Sequence, residues 1–562
     1  MNALSLHLPV LPILVPLAAA AALLVFPDAA RALRLTITFA SLAVQLAVAV
    51  ALLYLSTDAV PDVWSEGVGV YAIGGWPAPF GIVLVVDRLS ALMLTLTATV
   101  GLTALVYSLA HFERPAQPFN ALYQLLLMGL NGAFLTGDLF NLFVFFEVLL
   151  AASYGLLLRG VGPRRVRNGL HYIAVNLAAS LLFLIGVALI YGTLGTLNMA
   201  DLLGKVALLA PAERSLFDAG AGILGIAFLV KAGSWPLNFW LPGSYSAATP
   251  PVSAAFAMLT KVGIYAVLRI GTILGEDEAA AAILGPILFY MGFATLIAGT
   301  MGMLATQHLR RLVSYSVIAS SGLLLAALGL GLEELTPATL FYLVTSVLTT
   351  CAFFMLTGMT DRTRVLASEP AADSDAETDD TPGAAASATP RWVAFGVRAP
   401  QSYDTSEVVG APTPGAMAFL GLMFVCCVLL VGGLPPLPSF VAKFSMLSTV
   451  LAQAPGTAGS SEAWALVAGI LGSGLAALIA LTRIGIRLFW AGEAARRTPR
   501  LRMLEAAPVA LLVAVCLLLS AFSGPAMRFF DATARSLHAP EVYTRIVLSA
   551  GRDGDPAQGG KP

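Results

Sequence analysis

Charged side chains are scarce in this sequence. Asp, Glu, Lys and Arg make up 11% of its 562 residues, less than half of the roughly 25% usual in soluble domains, and that shortage excludes an ordinary water-soluble fold. A basic excess is missing as well. The formal net charge is -1, so there is no cationic stripe of the kind that neutralises nucleic-acid phosphates. The four cysteines, Cys351, Cys426, Cys427 and Cys516, all lie in apolar stretches, which leaves neither a disulfide framework nor a zinc spacing and makes them packing residues. His111, His171 and His308 form no metal-ligand spacing with Cys or acidic residues. Hydrophobic residues, by contrast, reach 58%, and the chain reads as an integral membrane protein.

A helix needs about 20 residues to span the hydrocarbon, and on that measure the sequence divides into fourteen candidate spans. They are 8–26, 33–56, 85–109, 118–136, 138–158, 168–192, 217–246, 252–275, 281–304, 308–331, 336–358, 413–453, 462–489 and 505–527. The seventh and twelfth are interrupted by prolines. The first lacks a Lys/Arg-rich start and a polar cleavage region, so it reads as a retained span. Arginines cluster after span five (Arg159, Arg164, Arg165, Arg167), before span ten (His308, Arg310, Arg311) and around the connection from span thirteen to fourteen. Acidic groups such as Asp58, Asp62, Glu66, Glu276, Asp277, Glu333 and Glu334 fall on the other side. The positive-inside rule makes the arginine side cytoplasmic and puts both termini outside. Residues 361–412, acidic, small and Pro-containing, read as a flexible cytoplasmic loop. The last 35 or so residues are too polar to span and too short for a domain.

Four ionisable residues stand where they are expensive. Glu147 is central in FLTGDLFNLFVFFEVLLAASYG, and a charge at the bilayer centre costs about 2.5 to 3.5 kcal/mol on the gentlest scales, so such groups face the bundle interior and mark ion or proton pathways. Lys231 closes AGAGILGIAFLVK shortly before Pro236, a residue that frees the carbonyl of Ala232 and favours a wet, polar break. Lys443 repeats the arrangement behind Pro435, Pro436 and Pro438, and two broken helices with a lysine each suggest a duplicated architecture. Lys261 is central in PVSAAFAMLTKVGIYAVLRIG, with Ala254, Ala257 and Tyr265 on its face. Snorkelling to an interface is the alternative for the lysines, and a static ion pair is the alternative for Glu147. Together the four would demand roughly 10 kcal/mol if unpaired. Burial disfavours the charged form of acids and amines alike, which brings both toward proton exchange near neutral pH. Asp138 lies on the opposite helix face at the membrane edge and suits a turn. His171, His308 and Arg310, at predicted edges, are possible accessory groups together with Tyr265. No carboxylate-rich cage for a hard alkali cation is visible, so a cation path is expected wholly or partly in a partner.

Longer motifs then narrow the class. FLTGDLFNLFVFFEVLLAASYGLLLRG, YGTLGTLNMADL, KAGSWPLNFWLPGSYSAATPPVSAAFAMLTKVGIYAVLR and GGLPPLPSFVAKF resemble the D component of the multisubunit Mrp-type monovalent cation/proton antiporter, in the superfamily that also holds the proton-pumping membrane subunits of respiratory complex I. The resemblance implies an all-α polytopic subunit of a bacterial inner membrane, with about fourteen helices and two inverted five-helix repeats in which helices 7 and 12 are discontinuous. Residues 1–117 would hold helices 1 to 3, 118–275 the first repeat and 281–490 the second with its insert, while 491–562 would hold helix 14 and the tail. It implies Glu147 and Lys231 as a coupling pair, Lys261 as the central relay lysine and Lys443 as the helix-12 lysine. It also implies partners, the large A component and small membrane subunits of the Mrp antiporter, with protons and sodium or potassium as substrates and no cofactor. The match fails in part where relatives carry D-I-K-R and this chain has His308, Leu309, Arg310 and Arg311. The histidine common in helix 11 of relatives is replaced near Thr345 or Ser346, so a route there would run through water and hydroxyls. A proton-pumping component of a complex I-type assembly and a scaffold with a vestigial relay are the competing classes.

Overall fold

The computed structural model describes residues 7–26, 30–57, 63–110, 119–159, 162–274, 278–368, 415–453, 460–489 and 501–550. The heart of the acidic insert, His111, Asp58, Asp62, Glu276 and Asp277 lie outside them. Long apolar runs become helices whose backbone groups are satisfied within each segment, as a bilayer requires. In chain order these are α1 (Leu11–Val25), α2 (Arg31–Leu55), α3 (Arg88–Leu109), α4 (Phe119–Leu135), α5 (Leu139–Leu158), α6 (Pro163–Leu194), α7 (Met199–Ala207), α8 (Pro211–Ala232), α9 (Trp240–Ala247) and α10 (Pro250–Leu274). The second half continues with α11 (Glu278–Ala305), α12 (Leu309–Gly329), α13 (Thr336–Ser368), α14 (Gly415–Gly432), α15 (Pro438–Gln453), α16 (Ser460–Phe489), α17 (Met503–Ala521), α18 (Ser523–Leu537) and α19 (Pro540–Ser549). Among the described residues thirteen helices are long and apolar enough to cross a membrane, and α4 is a shorter apolar helix. Every expected span has its helix.

One span boundary needs correction. The third span begins at Arg88, because Val83–Val86 forms strand β2, paired antiparallel with β1 (Gly69–Ala72). A capping box fixes that start: the Asp87 carboxylate accepts from Ser90 N, and the Ser90 hydroxyl accepts from Asp87 N. The polar tail is also structured. In α18 and α19 the apolar positions recur on one side, and Tyr543 and Val547 pack on Val83, Val85 and Ala200. The interruption expected in the seventh span is a full break: α8 ends, and α9 starts eight residues on from its last residue. The same happens between α14 and α15. In both cases glycine supplies the left-handed backbone that closes a helix, Gly233 at φ +74° and Gly433 at φ +75°. Ser234 N then bonds Leu229 O at 2.9 Å, and Leu434 N bonds Leu429 O at 3.0 Å.

The two faces of the bundle are built differently. On one, arginines donate to carbonyls left over at helix ends: Arg165 to Ala247 O (3.0 Å) and to Arg159 O, Arg310 to Ala248 O (3.5 Å), Arg483 to Leu304 O (2.7 Å) and Thr306 O (3.1 Å). On the other, the hairpin, α7 and the tail helices form a small polar-rimmed cap.

Candidate functional site

The two broken helices and the helices beside them carry buried polar groups within the apolar core. Lys231 occupies the last turn of α8, where helix-end carbonyls favour a cation. Its ammonium leaves its own helix and donates to Asn176 O (3.3 Å) and Ser180 Oγ (3.2 Å) of α6. That stripe on α6 extends to Tyr172, whose hydroxyl meets Ser153 of α5 at 2.8 Å. Glu147, on α5, is half-buried, and its Oε1 has no hydrogen-bond partner among the described residues. It lies within electrostatic range of Lys231, but no direct ion pair joins them among the described residues. Phe143, Phe146 and Phe228 meet Phe183 at tilted or edge-on angles, and the Lys231 ammonium lies 5.7 Å from the Phe146 ring centroid.

Lys261, in the middle of α10, donates to Ser320 Oγ of α12 at 3.0 Å. Lys443 departs from the expected repeat. It follows its helix break, whereas Lys231 precedes one, so the two lysines are not equivalent in sequence position. Its side chain reaches back, however, and donates to Val431 O (3.1 Å) and Gly432 O (3.2 Å), the open carbonyl end of α14. Gly433 makes room for it, since a Cβ there would stand 2.6 Å from Lys443 Cδ. The three lysines are 4%, 2% and 6% exposed, which removes snorkelling as an explanation within this chain.

The accessory candidates lie elsewhere. His171 is exposed on α6, and His308 is exposed at the start of α12 without capping it through its side chain. Arg310 pairs with Asp361 at 2.5 Å on the arginine face. Tyr265 is buried, but its hydroxyl donates to Phe134 O (2.8 Å) and accepts from Arg269 (3.5 Å). Asp138 caps α5 by accepting from Asn141 N at 2.8 Å, the turn role expected of it. Sequence reasoning missed a fully buried ion pair, Arg269 to Asp87 at 2.6 Å, roofed by the Tyr543 ring 5.3 Å from the guanidinium carbon. It also missed Thr295 of α11, whose hydroxyl accepts from Trp235 N (2.8 Å) and meets Ser234 Oγ (3.0 Å), satisfying the open backbone of the α8–α9 break. A cavity of about 620 Å³ between α8, α10 and α11 is apolar apart from Thr272, Thr336, Thr339 and His538 and contains none of the four relay candidates.

Membrane helices interrupted beside buried lysines are the build of polytopic membrane transport proteins. Residues 136–370 match the family model described as NADH:quinone oxidoreductase/Mrp antiporter, TM. The chain is 50% identical to the probable D component of the K(+)/H(+) antiporter of Rhizobium meliloti, over 98% of each chain. It is 32% identical to the D component of the Na(+)/H(+) antiporter of Bacillus subtilis, over 96% of this chain and 99% of that one. A chain of the solved Mrp complex from a Dietzia species superposes with a TM-score of 0.78 at 26% identity, covering 98% of this chain and all of the other. The chain belongs to the D-component family of Mrp-type cation/proton antiporters.

Proposed function

We propose that this chain carries protons through a multisubunit monovalent cation/proton antiporter, by way of Glu147, Lys231, Lys261 and Lys443. One observation carries the reading: three lysine ammoniums are buried at membrane depth and held only by neutral oxygens, with no carboxylate in contact among the described residues. A lysine kept for stability alone would be paired, because an unpaired buried charge is strongly destabilising. With neutral acceptors the protonated and neutral amines are both accessible states, which is what a proton carrier needs. Glu147 complements them, since its free oxygen can take a proton from one side while its charge acts on Lys231. The partners are the other Mrp subunits, and the alkali cation crosses wholly or partly in them. Coupling arises where the protonation of Glu147 and Lys231 biases an equilibrium that the cation biases too.

The test uses everted vesicles containing the complete complex, an imposed proton gradient, sodium or potassium, and no quinone or electron donor. Glu147→Gln and Lys231→Ala should abolish exchange while the complex still assembles. Normal cation-dependent proton flux in Glu147→Gln vesicles would sink the relay, and a requirement for an electron donor would move the chain to the respiratory-pump class. The purified single chain in liposomes should exchange nothing.

A further inference from the structure

Between Lys261 and Lys443 stand α12 and α13, which over 312–329 and 336–360 carry no acidic residue, lysine, arginine or histidine. They are rich in buried hydroxyls instead, and most of those are committed. Ser316 donates to Val313 O, Thr345 to Tyr342 O, Ser346 to Leu343 O, Thr349 to Thr345 O and Thr350 to Ser346 O, all within 3.1 Å. A hydroxyl proton bound to its own helix carbonyl is poorly placed to pass onward. Thr345 and Ser346, the positions that stand in for the histidine of relatives, are therefore occupied with their own backbone.

Three buried hydroxyls differ. Ser321 has no partner among the described residues, while Ser320 and Tyr342, 5% and 8% exposed, have no hydrogen bond to their own helix and face groups on other helices. Ser320 accepts from Lys261 at 3.0 Å. The Tyr342 hydroxyl lies beside Ser320, and the Lys443 ammonium stands 5.9 Å from the Tyr342 ring centroid. Residues from α10, α12, α13 and α15 thus meet in one sequence of contacts that begins at one lysine and ends at the other.

We propose that Tyr342, acting with Ser320, is the link that passes protons between Lys261 and Lys443, a step that rests on the relay reading above. In the forward direction the Ser320 oxygen takes a proton from the Lys261 ammonium as the Ser320 hydroxyl proton passes to the Tyr342 oxygen. Tyr342 releases its own proton toward the neutral amine of Lys443 by way of water between them. One N–H bond breaks at Lys261, one forms at Lys443, and both hydroxyls end neutral with one proton each. A hydroxyl suits this task because it donates and accepts at once. Rotation of the two hydroxyls resets the path.

The experiment compares Tyr342→Phe, Ser320→Ala and the double variant in the complete complex, in everted vesicles, with exchange measured against cation concentration in water and in heavy water. Tyr342→Phe keeps the ring beside Lys443 and removes only the oxygen. Each single variant should lower maximal exchange by about tenfold or more, as expected for loss of a positioned proton-transfer group, with half-saturating cation concentration unchanged. The double variant should be no worse than either single one, because both break the same link. Tyr342→His, which restores a donor and an acceptor, should recover part of the rate. Wild-type maximal exchange in Tyr342→Phe overturns the proposal, as does a loss confined to cation affinity. If Tyr342→Phe complexes fail to assemble, Ser320→Ala decides on the same criteria. Glu147→Gln is run in parallel: its failure to exchange beside a fully active Tyr342→Phe removes this link alone, whereas its full activity removes the relay reading beneath it.

Discussion

Gly263 of α10 lies directly against the backbone of Lys231: a Cβ at Gly263 would stand 2.5 Å from Ala232 N and 2.9 Å from the Lys231 carbonyl carbon. The missing side chain lets α8 end against α10, and α10 carries Lys261 less than one turn away. The spacing of the two lysines is therefore set by a backbone contact and not by the lysines themselves. Gly263→Ala should force the helices apart, costing about 1 to 3 kcal/mol as overpacking does and lowering both exchange and the unfolding temperature of the complex. Gly271→Ala, where nothing lies within 4 Å of the added carbon, is the control and should change neither.

Charge and exchangeability can be separated at the relay lysines. Arginine preserves a cation but does not release its proton in proteins. Lys443→Arg and Lys261→Arg should therefore assemble at levels near wild type and still fail to exchange protons against cations. Retained exchange in either arginine variant would mean that the position supplies a fixed charge, and that residue would leave the relay.

The buried pair of Arg269 and Asp87 has a different duty. It joins α10 to the start of α3 beneath Tyr543 of the tail, with Asp87 also capping its own helix. Removing one partner leaves the other charge buried, which typically costs 3 to 5 kcal/mol, or about half a domain's stability. Arg269→Ala should reduce the amount of assembled complex sharply, and Tyr543→Ala should loosen α19 to proteolysis while leaving α10 intact. Quantitative immunoblotting of membranes and limited proteolysis measure the two effects.

Much of this was legible in the sequence because a bilayer imposes simple rules. Spans, breaks and the isolated charges Glu147, Lys231 and Lys261 follow from length and cost alone. What stayed hidden depends on side chains meeting across distant helices. Nothing in the sequence near Tyr342 distinguishes its hydroxyl from those of Thr345 or Ser346; only the fold shows which are tied to their own backbone. The position of Lys443 was legible, but its reach back to Val431 and Gly432 was not, because proline spacing fixes the break and not the path of a flexible side chain. The hairpin was hidden in a stretch whose VLVV run reads equally as helix or strand. The tail was hidden too, because one-sided apolar positions over 15 and 10 residues are too few to span and become ordered only by docking on the hairpin.

Thr295 offers a check on how the first break is held. Its hydroxyl serves Trp235 N and Ser234 together, although it belongs to α11, in the second half of the chain. Thr295→Val is nearly isosteric and would leave a backbone N–H at the break without its acceptor, a loss of about 1 to 3 kcal/mol. Because the break lies just after Lys231, local opening there should be seen as faster hydrogen exchange over 233–239 before any global loss of stability. Exchange protection equal to wild type in that segment would show that the break is held by other contacts.

The sidedness of the whole arrangement rests on charge, and it sets the direction in which protons move. Arginines gather on one face, where Arg165, Arg310 and Arg483 close helix ends, and Arg164 projects from the same end of α6 into solvent. The opposite face carries the hairpin, α7 and the tail, ending in α19 with Ser549 exposed. Positive charge is retained in the cytoplasm during insertion, so the expectation is Arg164 inside and Ser549 outside. Glu66 shares the outer face but is a poorer reporter, since its backbone sits at φ +54°, where a substituted side chain is strained. Ser549→Cys should react in intact cells with a membrane-impermeant maleimide, and Arg164→Cys only in everted vesicles or after permeabilisation, with the unsubstituted chain as control for its native cysteines. The reverse labelling pattern would invert the bundle and with it the assignment of which end of the Glu147–Lys443 relay faces the cytoplasmic proton pool.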